Sequence, residues 1–367
     1  MEAGRRVVVS ELAETPLEAI ERFMSLEPMP APDVASLGSN DVLVAVKSAV
    51  VGWVDLVMAS GQYQHMRQPP YTPGLEYAGI VAARGAGVED LPIGHPVLVD
   101  GLTAGPRSVG AYQSQGGFAS YAVVPREALL EIPGALSMDQ AANLLGNYET
   151  AYHCLVTRGR LRAGETVLIH GAAGSTGLAA VQIAKLLGAT VIGTGRSDAK
   201  LAQVTADGAD HVINCRGEGG VGLRSFRDEV KALTHGKGVD VVYDGVGGDI
   251  SLETLRCVAF GARYVIVGWA STPFVSRGKG LRGAPNANVL PTNLIMMKGL
   301  DVLGAPAVIS TLKDPTIRPP RLAQVLAWAR EGKITPRISH VFPLTEFKEA
   351  MLAKWRGDVL GGCVLHP

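Results

Sequence analysis

Long apolar runs, an excess of one charge and paired cysteines are all missing from this chain, and each absence removes a class of function. No run of about 18 apolar residues occurs, which excludes a helical membrane span. The N-terminus shows no basic, apolar and small-residue cleavage pattern, so a soluble, cytoplasmic protein without a membrane partner is expected. Basic and acidic residues number 34 each, which leaves no electrostatic footprint for a nucleic acid. The four cysteines, Cys154, Cys215, Cys257 and Cys363, are scattered, with no C-x-x-C and no histidine at ligand spacing. Neither a disulfide framework nor a zinc site is expected, and each thiol reads as a small buried apolar group. Repeats and low-complexity tracts are absent as well.

What is present is glycine, 45 residues of it in a chain of 367, a length that allows two domains. The most informative glycines fall in residues 166–200, TVLIHGAAGSTGLAAVQIAKLLGATVIGTGRSDAK. This stretch reads as an apolar strand, a glycine-rich turn, an amphipathic helix and a second apolar strand. The turn, Ala172-x-Gly174-x-x-Gly177, is a G-x-G-x-x-G pattern with alanine in its first slot, and the order of elements is that of a dinucleotide-binding βαβ unit. Gly174 removes a side chain where phosphates approach the backbone, and Gly177 lets the helix pack on the strands. Ser175 and Thr176 open the helix, whose N-terminal N–H groups and dipole favour an anion.

An NAD site usually places an acid about 20 residues beyond the glycines, on the ribose 2′-OH. Here Thr194, Gly195, Arg196 and Ser197 occupy that place, with Lys200 one turn on and Arg216 after the third expected strand. Cations and a hydroxyl in place of an acid favour NADP(H), although the same residues also suit a solvated helix start.

Residues 41–50, 79–83, 95–99 and 118–124 alternate as short strands between glycine and proline clusters, which suggests a barrel-like domain. From Ser137, an N-cap with Asp139 in the first turn, the period becomes helical as far as Arg158. Six apolar strands follow at 166–170, 190–193, 211–214, 239–243, 263–268 and 301–304, separated by helices. The expected class is therefore α/β, with a doubly wound parallel sheet. After a helix over 320–331, a strand over 338–342 and a helix over 345–354, the last strand, 362–365, has no local partner and is expected to rejoin the first domain.

Segments along most of the chain resemble the medium-chain dehydrogenase/reductase superfamily and, within it, the zinc-independent quinone oxidoreductases. They are PYTPGLEYAGIV (70–81), GGFASYAVVP (116–125), GNYETAYHCLVTRGRLRAGETVLIHGAAGSTGLAAVQIAKLLGA (146–189), GADHVIN (208–214), VDVVYDGVGG (239–248) and PLTEFKEAM (343–351). The resemblance implies a GroES-like catalytic domain over 1–133 and 307–367, a Rossmann domain over 134–306, and an active site in the cleft between them. Zinc alcohol dehydrogenases of the superfamily hold metal in segments that match 51–55 and 74–79 here. Leu75 stands where their histidine would be, next to a retained Glu76, and the span 100–116 lacks the cysteines of a structural zinc lobe. Without a Lewis acid, hydride delivery to an already electrophilic acceptor is favoured over alcohol oxidation.

The resemblance further implies that Gly174, Ser175, Thr176 and Gly177 hold the pyrophosphate, and that Ser197 and Lys200 reach the 2′-phosphate. Cys215 replaces a frequent tyrosine, which leaves Arg216 as a substitute contact. Thr150 faces the nicotinamide side. Gly245, Val267, Gly268 and Trp269 lie at strand ends, Asn293 matches a loop asparagine, and Arg356 stands one residue out of register with a cofactor-contacting arginine. The Asn-Pro-x-Asp signature reads Gly52-Trp53-Val54-Asp55, which makes Trp53 a candidate pocket wall, as is Tyr148, although plain core packing suits Trp53 slightly better. Of two family tyrosines near substrate only Tyr63 is retained, a candidate proton donor that packing would also explain.

The expectation is an NADPH-dependent reductase of quinones or α,β-unsaturated carbonyls, a homodimer with a small electrophilic substrate. An enoyl-thioester reductase, with the basic insertion 272–288 either bordering its groove or simply a loop, and an NADPH-binding sensor or structural protein without turnover remain as alternatives.

Overall fold

Short runs rich in valine, isoleucine and leucine, bounded by glycine, become the strands of two separate sheets. The computed structural model describes residues 1–63, 67–108, 110–271, 279 and 288–367. The insertion 272–288 therefore lies, apart from Lys279 and Asn288, outside the described residues. The described residues form two units, 1–146 with 329–367 and 147–271 with 288–328. Residues 134–146 thus fall with the first unit and 307–328 with the second.

The first unit opens with β1 (Gly4–Val9), β2 (Met24–Met29), β3 (Asp41–Val50), β4 (Tyr77–Arg84), β5 (Pro96–Val99), β6 (Tyr121–Pro125) and β7 (Leu129–Glu131). The second unit contains β8 (Thr166–Ile169), β9 (Thr190–Gly195), β10 (His211–Asn214), β11 (Val239–Asp244), β12 (Val258–Ile266) and β13 (Asp301–Gly304). The chain then returns to the first with β14 (Ile338–Pro343) and β15 (Gly362–His366). The helices that matter for the site are α1 (Trp53–Ala59), α2 (Leu145–Tyr152), α3 (Ser175–Leu186), α4 (Asp198–Ala206), α5 (Arg318–Arg330) and α6 (Phe347–Arg356).

In the first unit β1 and β2 pair with each other, and seven strands run in the order β14-β15-β3-β4-β5-β7, with β6 also on β3. The final strand rejoins the first sheet as expected, Val364 opposite Val50. Alternate side chains of β3 and β4, among them Val42, Val44, Val46, Tyr77 and Val81, enter one core with Phe118 and Leu365. Trp53 of α1 stacks on Trp355 of α6, ring centroids 5.6 Å apart and 6° from parallel.

The second unit is a parallel sheet in the order β10-β9-β8-β11-β12-β13. The chain moves outward from β8 to β10 and then returns to place β11 beside β8, and the reversal opens a ligand crevice at the carboxyl ends of those strands. All six expected strands form. The fifth starts at Val258 rather than 263 and stops at Ile266, because the amides of Val267 and Gly268 both turn to the Asp244 carbonyl, at 2.8 and 3.2 Å. The single helix expected from 137 is broken. Ser137 caps Met138–Ala142 with a reciprocal Gln140 bond, and the chain turns at Asn143 before α2 begins.

One buried carboxylate organises the first unit's loops. Asp55 Oδ2 accepts from the Gly52 amide at 3.0 Å, and Oδ1 accepts from the Gly74 and Leu75 amides at 3.0 and 3.2 Å. It thereby clasps the start of α1 to the loop before β4. Burial pushes this carboxyl up to about 7, against the pull of the Gly52 and Gly74 amides. A carboxyl raised from an unfolded value of 3.8 stabilises the fold fully below that value, and the contribution fades as pH rises through about 7. The asparagine of Asp55→Asn does not titrate. Across pH 4 to 8 the wild type should therefore lose on the order of 4 kcal/mol of stability relative to Asp55→Asn. Thermal midpoints of both proteins across that range test this, and a constant difference would refute it.

Candidate active site

At the end of β8 the chain must turn sharply into α3, and glycine makes that possible at three points. Gly171 has φ +64°, a left-handed backbone that glycine tolerates best. The left-handed residue of the turn thus precedes the motif's first slot, and Ala172 in that slot is buried with its amide on the Thr194 carbonyl at 3.0 Å. At Gly177 a Cβ would stand 2.3 Å from the Gly171 carbonyl oxygen, so helix and turn are in direct backbone contact. At Gly174 the nearest atom to a Cβ would be 3.5 Å away, and at Gly245 nothing lies within 4 Å. Packing does not demand glycine at these two positions, so they form an open cradle at the mouth of the crevice. Gly174 is also the N-cap of α3 without a side-chain cap bond, and a pyrophosphate fits such a helix start.

α2 is tethered within the second unit at three consecutive residues. The Thr176 hydroxyl donates to Asn147 Oδ1 at 2.9 Å, and the Tyr148 hydroxyl donates to Gln182 Oε1 at 2.8 Å. Glu149 accepts from Arg318 Nη2 at 2.9 Å and from Arg321 Nε at 3.0 Å, and Arg321 Nη2 continues to Thr311 at 2.8 Å. Tyr148 is thus a buried tie between α2 and α3. The next residue, half-buried Thr150, is held by these bonds.

Beneath the crevice lies a buried polar network. His170 places Nδ1 2.9 Å from the Thr194 hydroxyl and Nε2 2.7 Å from that of Thr254, and burial lowers its affinity for a proton despite nearby Asp244. Asp244 Oδ1 accepts from the amides of Val246 and Gly247, both at 2.9 Å. Its Oδ2 accepts from Ser251 at 2.5 Å and Tyr264 at 2.6 Å. Burial works to raise this carboxyl, but His170 and these donors outweigh it and hold it below the usual carboxylate range. The network fixes the loop that carries Gly245 against the end of β12. There the Ala270 amide reaches the Gly245 carbonyl at 3.1 Å, and Trp269 packs where a Cβ on Gly247 would be, 3.2 Å away. Gly245, Val267, Gly268 and Trp269 therefore come together at the carboxyl edge.

Beyond β9, Arg196 Nη2 lies 3.4 Å from the Gly220 carbonyl and Arg216 Nε lies 3.2 Å from the same oxygen. The loop after β10 is closed by a bridge between Arg216 and Leu223, which brings Gly220 back to both arginines. Cys215 turns inward, its Sγ 3.1 Å from the Gly195 carbonyl, so this position offers nothing to the patch. Ser197 caps α4 by position but makes no side-chain cap bond, and Lys200 stands in the first turn of that helix. Asn293 is exposed on the helix Thr292–Lys298.

In the first unit, half-buried Tyr63 follows α1, and exposed Arg356 ends α6. Trp53 spends its ring on Trp355. A residue that the sequence did not single out, Arg107, reaches Glu76 with Nη2 3.5 Å from Oε1. Its partner lies 31 positions away in an irregular loop, so no spacing could announce it. Among the described residues no group of three or more His, Cys, Asp or Glu side chains is disposed to hold a metal ion. No helix among them is long and apolar enough to cross a membrane.

Comparison with known proteins agrees with this architecture. Residues 38–134 match the family model of the alcohol dehydrogenase GroES-like domain, and residues 175–311 match that of the zinc-binding dehydrogenases. A quinone oxidoreductase-like protein 2 homolog of Nematostella vectensis is 32% identical over 348 residues, 94% of this chain and 84% of that protein. A solved probable oxidoreductase from Mycobacterium abscessus superposes with a TM-score of 0.78 at 28% identity, covering 100% of this chain and 99% of its own. An Escherichia coli quinone oxidoreductase solved in complex with NADPH shares the fold, with a TM-score of 0.77 at 24% identity, over 99% of this chain and 100% of its own. The chain belongs to the medium-chain dehydrogenase/reductase superfamily and, within it, to the zinc-independent quinone oxidoreductase family of oxidoreductases.

Proposed function

We propose that the chain is an NADPH-dependent, zinc-independent reductase that delivers hydride to a quinone or an α,β-unsaturated carbonyl. The observation that carries the reading is the convergence of Arg196 and Arg216 on the Gly220 carbonyl, beside a strand end that has no acid. A neutral carbonyl orients two guanidiniums without cancelling their charge, which leaves both free to take a 2′-phosphate. When bound, NADPH supplies the hydride. Gly174 and the start of α3 take its pyrophosphate, Arg196, Ser197, Lys200 and Arg216 its 2′-phosphate, and Thr150 stands at the nicotinamide end. The protein's part is alignment and exclusion of water.

NADPH should bind at least tenfold tighter than NADH, about 1.4 kcal/mol. Replacing Arg196 and Arg216 together by glutamine should erase most of that gap while NADH binding holds. Calorimetry on both proteins decides it, and equal affinities in the wild type would overturn the assignment.

Tyr63 is proposed to donate a proton to the reduced acceptor. Tyr63→Phe should then lower kcat and kcat/KM together by about 10- to 100-fold with an enone, leaving NADPH affinity unchanged. Quinones, whose reduced oxygens take protons from water, should suffer less. Steady-state kinetics with both acceptor classes checks this, and unchanged rates would remove Tyr63 from the chemistry.

A homodimer is proposed through β13. This strand ends the sheet order, so its outer backbone groups lack a neighbour within the sheet. Near it lie exposed Phe260, its ring 3.3 Å from a Cβ position on Gly299, and exposed Met296 and Met297. A two-fold pairing of this edge would cover them. Sedimentation velocity should show a dimer at micromolar concentration, dissociated by Phe260→Asp with Met297→Asp. A wild-type monomer would refute it.

A further inference from the structure

The loop that follows β10 is built almost wholly of glycine, with four glycines among the six residues GEGGVG over 217–222. Its ends are tied together, the Gly217 amide on the Gly222 carbonyl at 3.1 Å, and the Gly220 amide returns to the Gly217 carbonyl at 3.0 Å. A Cβ on Gly217 would stand 2.0 Å from the Val221 carbonyl oxygen, so the turn closes this tightly only around glycine. Asn214 anchors the base of the loop. Its Oδ1 accepts from the Arg216 amide at 3.0 Å, and its Nδ2 donates to Asp198 Oδ1 at 2.8 Å, at the start of the helix that carries Lys200. Closed and anchored in this way, the loop presents the Gly220 carbonyl to Arg196 Nη2 at 3.4 Å and to Arg216 Nε at 3.2 Å.

We propose, on the NADPH reading above, that this loop is the specificity determinant of the 2′-phosphate site, with Gly220 as the residue that positions Arg196 and Arg216 before the phosphate arrives. Both arginines are exposed. An exposed arginine samples many rotamers, and a ligand that selects one of them forfeits that freedom. The Gly220 carbonyl removes part of that loss in advance. A guanidinium carries five N–H donors, and the carbonyl takes one from each arginine, so donors remain for the phosphate oxygens. Arg224, two residues beyond the loop, is different. It is paired with Glu229 and bonded to the Asn214 carbonyl, so its charge is already compensated.

Glycine is needed at 220 for two reasons that can be separated. Its φ of +85° lies in the left-handed half of backbone space. A Cβ there would also stand 2.7 Å from Arg216 Nη2 and 3.0 Å from Arg216 Cζ, so any side chain drives the guanidinium away from the backbone. Gly219 has φ +64° and nothing within 4 Å of its Cβ position. An alanine at 219 therefore bears the backbone strain alone, whereas an alanine at 220 bears the strain and displaces Arg216.

The test uses 2′-phospho-ADP-ribose and ADP-ribose, which lack the nicotinamide, so that calorimetry on the full chain reads binding without turnover. Wild type should bind the phosphorylated ligand about tenfold tighter or more. Gly220→Ala should lose most of that preference, about tenfold, the size of one charge-assisted hydrogen bond, while ADP-ribose binds as before. Gly219→Ala should keep the preference. In an Arg216→Gln background Gly220→Ala should cost little more, because the group it displaces is gone. Thermal midpoints identify a variant that fails to fold. Gly220→Asn, which carries the same Cβ and tolerates a left-handed backbone better, then takes the place of Gly220→Ala. A wild-type preference that survives at full size in the folded 220 variant, or that falls equally in Gly219→Ala, would overturn the proposal alone. A wild type that binds both ligands equally would overturn the NADPH reading, and the role of Gly220 would fall with it.

Discussion

Asp55 is the constraint on which the loops of the first unit depend. Its acceptors are spent wholly on backbone amides, those of Gly52, Gly74 and Leu75. Buried amides must find acceptors, and a loop that cannot enter a sheet finds them in a side chain. With the two loops fixed this way, Glu76 lies against Gly146, and Arg107 meets its carboxylate. A neutral amide at 55 would present a donor to one of those N–H groups. The carboxyl is retained although burial pushes it up to about 7. The fold thus accepts a group that gains a proton near neutrality in exchange for a loop geometry that does not shift.

The second unit solves a related problem with glycine and with ties on α2. A phosphate site needs open backbone, but open backbone packs poorly. Gly174 and Gly245 leave space, whereas Gly177 removes it by bringing α3 against the turn. The freedom so created is taken back at α2, where Asn147, Tyr148 and Glu149 are bonded to Thr176, Gln182 and the two arginines of α5. Each tie is between side chains of different elements, so α2 cannot slide or rotate without breaking all of them. Thr150, the next residue along α2, inherits that rigidity.

Much of the fold was legible because its strands are short apolar runs separated by glycine, and such runs have few alternatives. The parallel sheet, the returning last strand and the Ser137 cap all follow from local pattern. The site was legible where a residue's role is set by its neighbours in sequence, as with Gly177. It was not legible where the role is set in space. The left-handed residue of the turn is Gly171 and not the first slot of the motif, because φ belongs to the backbone path rather than to the spacing. Trp53 faces a tryptophan some 300 positions on, and Glu149 meets arginines 169 and 172 positions away. The fifth strand was placed late because its first half, with Phe260 and Gly261, lacks an apolar alternation.

The arginines divide by what they face, and that division separates support from function. Arg318 and Arg321 are spent on Glu149, and Arg263 is spent on Glu165 and the carbonyls of Gly159 and Arg160. Such buried pairs lock elements together, since removing one partner strands a charge. Arg196 and Arg216 face a neutral carbonyl, which fixes direction and leaves the charge uncompensated. A site built to receive an anion needs that arrangement, because a resident acid would compete with the ligand. Arg107 lies between these cases, with one long carboxylate contact and a buried Nε that nothing satisfies. Its ion pair is enough to hold it in place and too little to use up its donors. Because the group it faces is an acid, Arg107 is nearer to the supporting arginines than to Arg196 and Arg216.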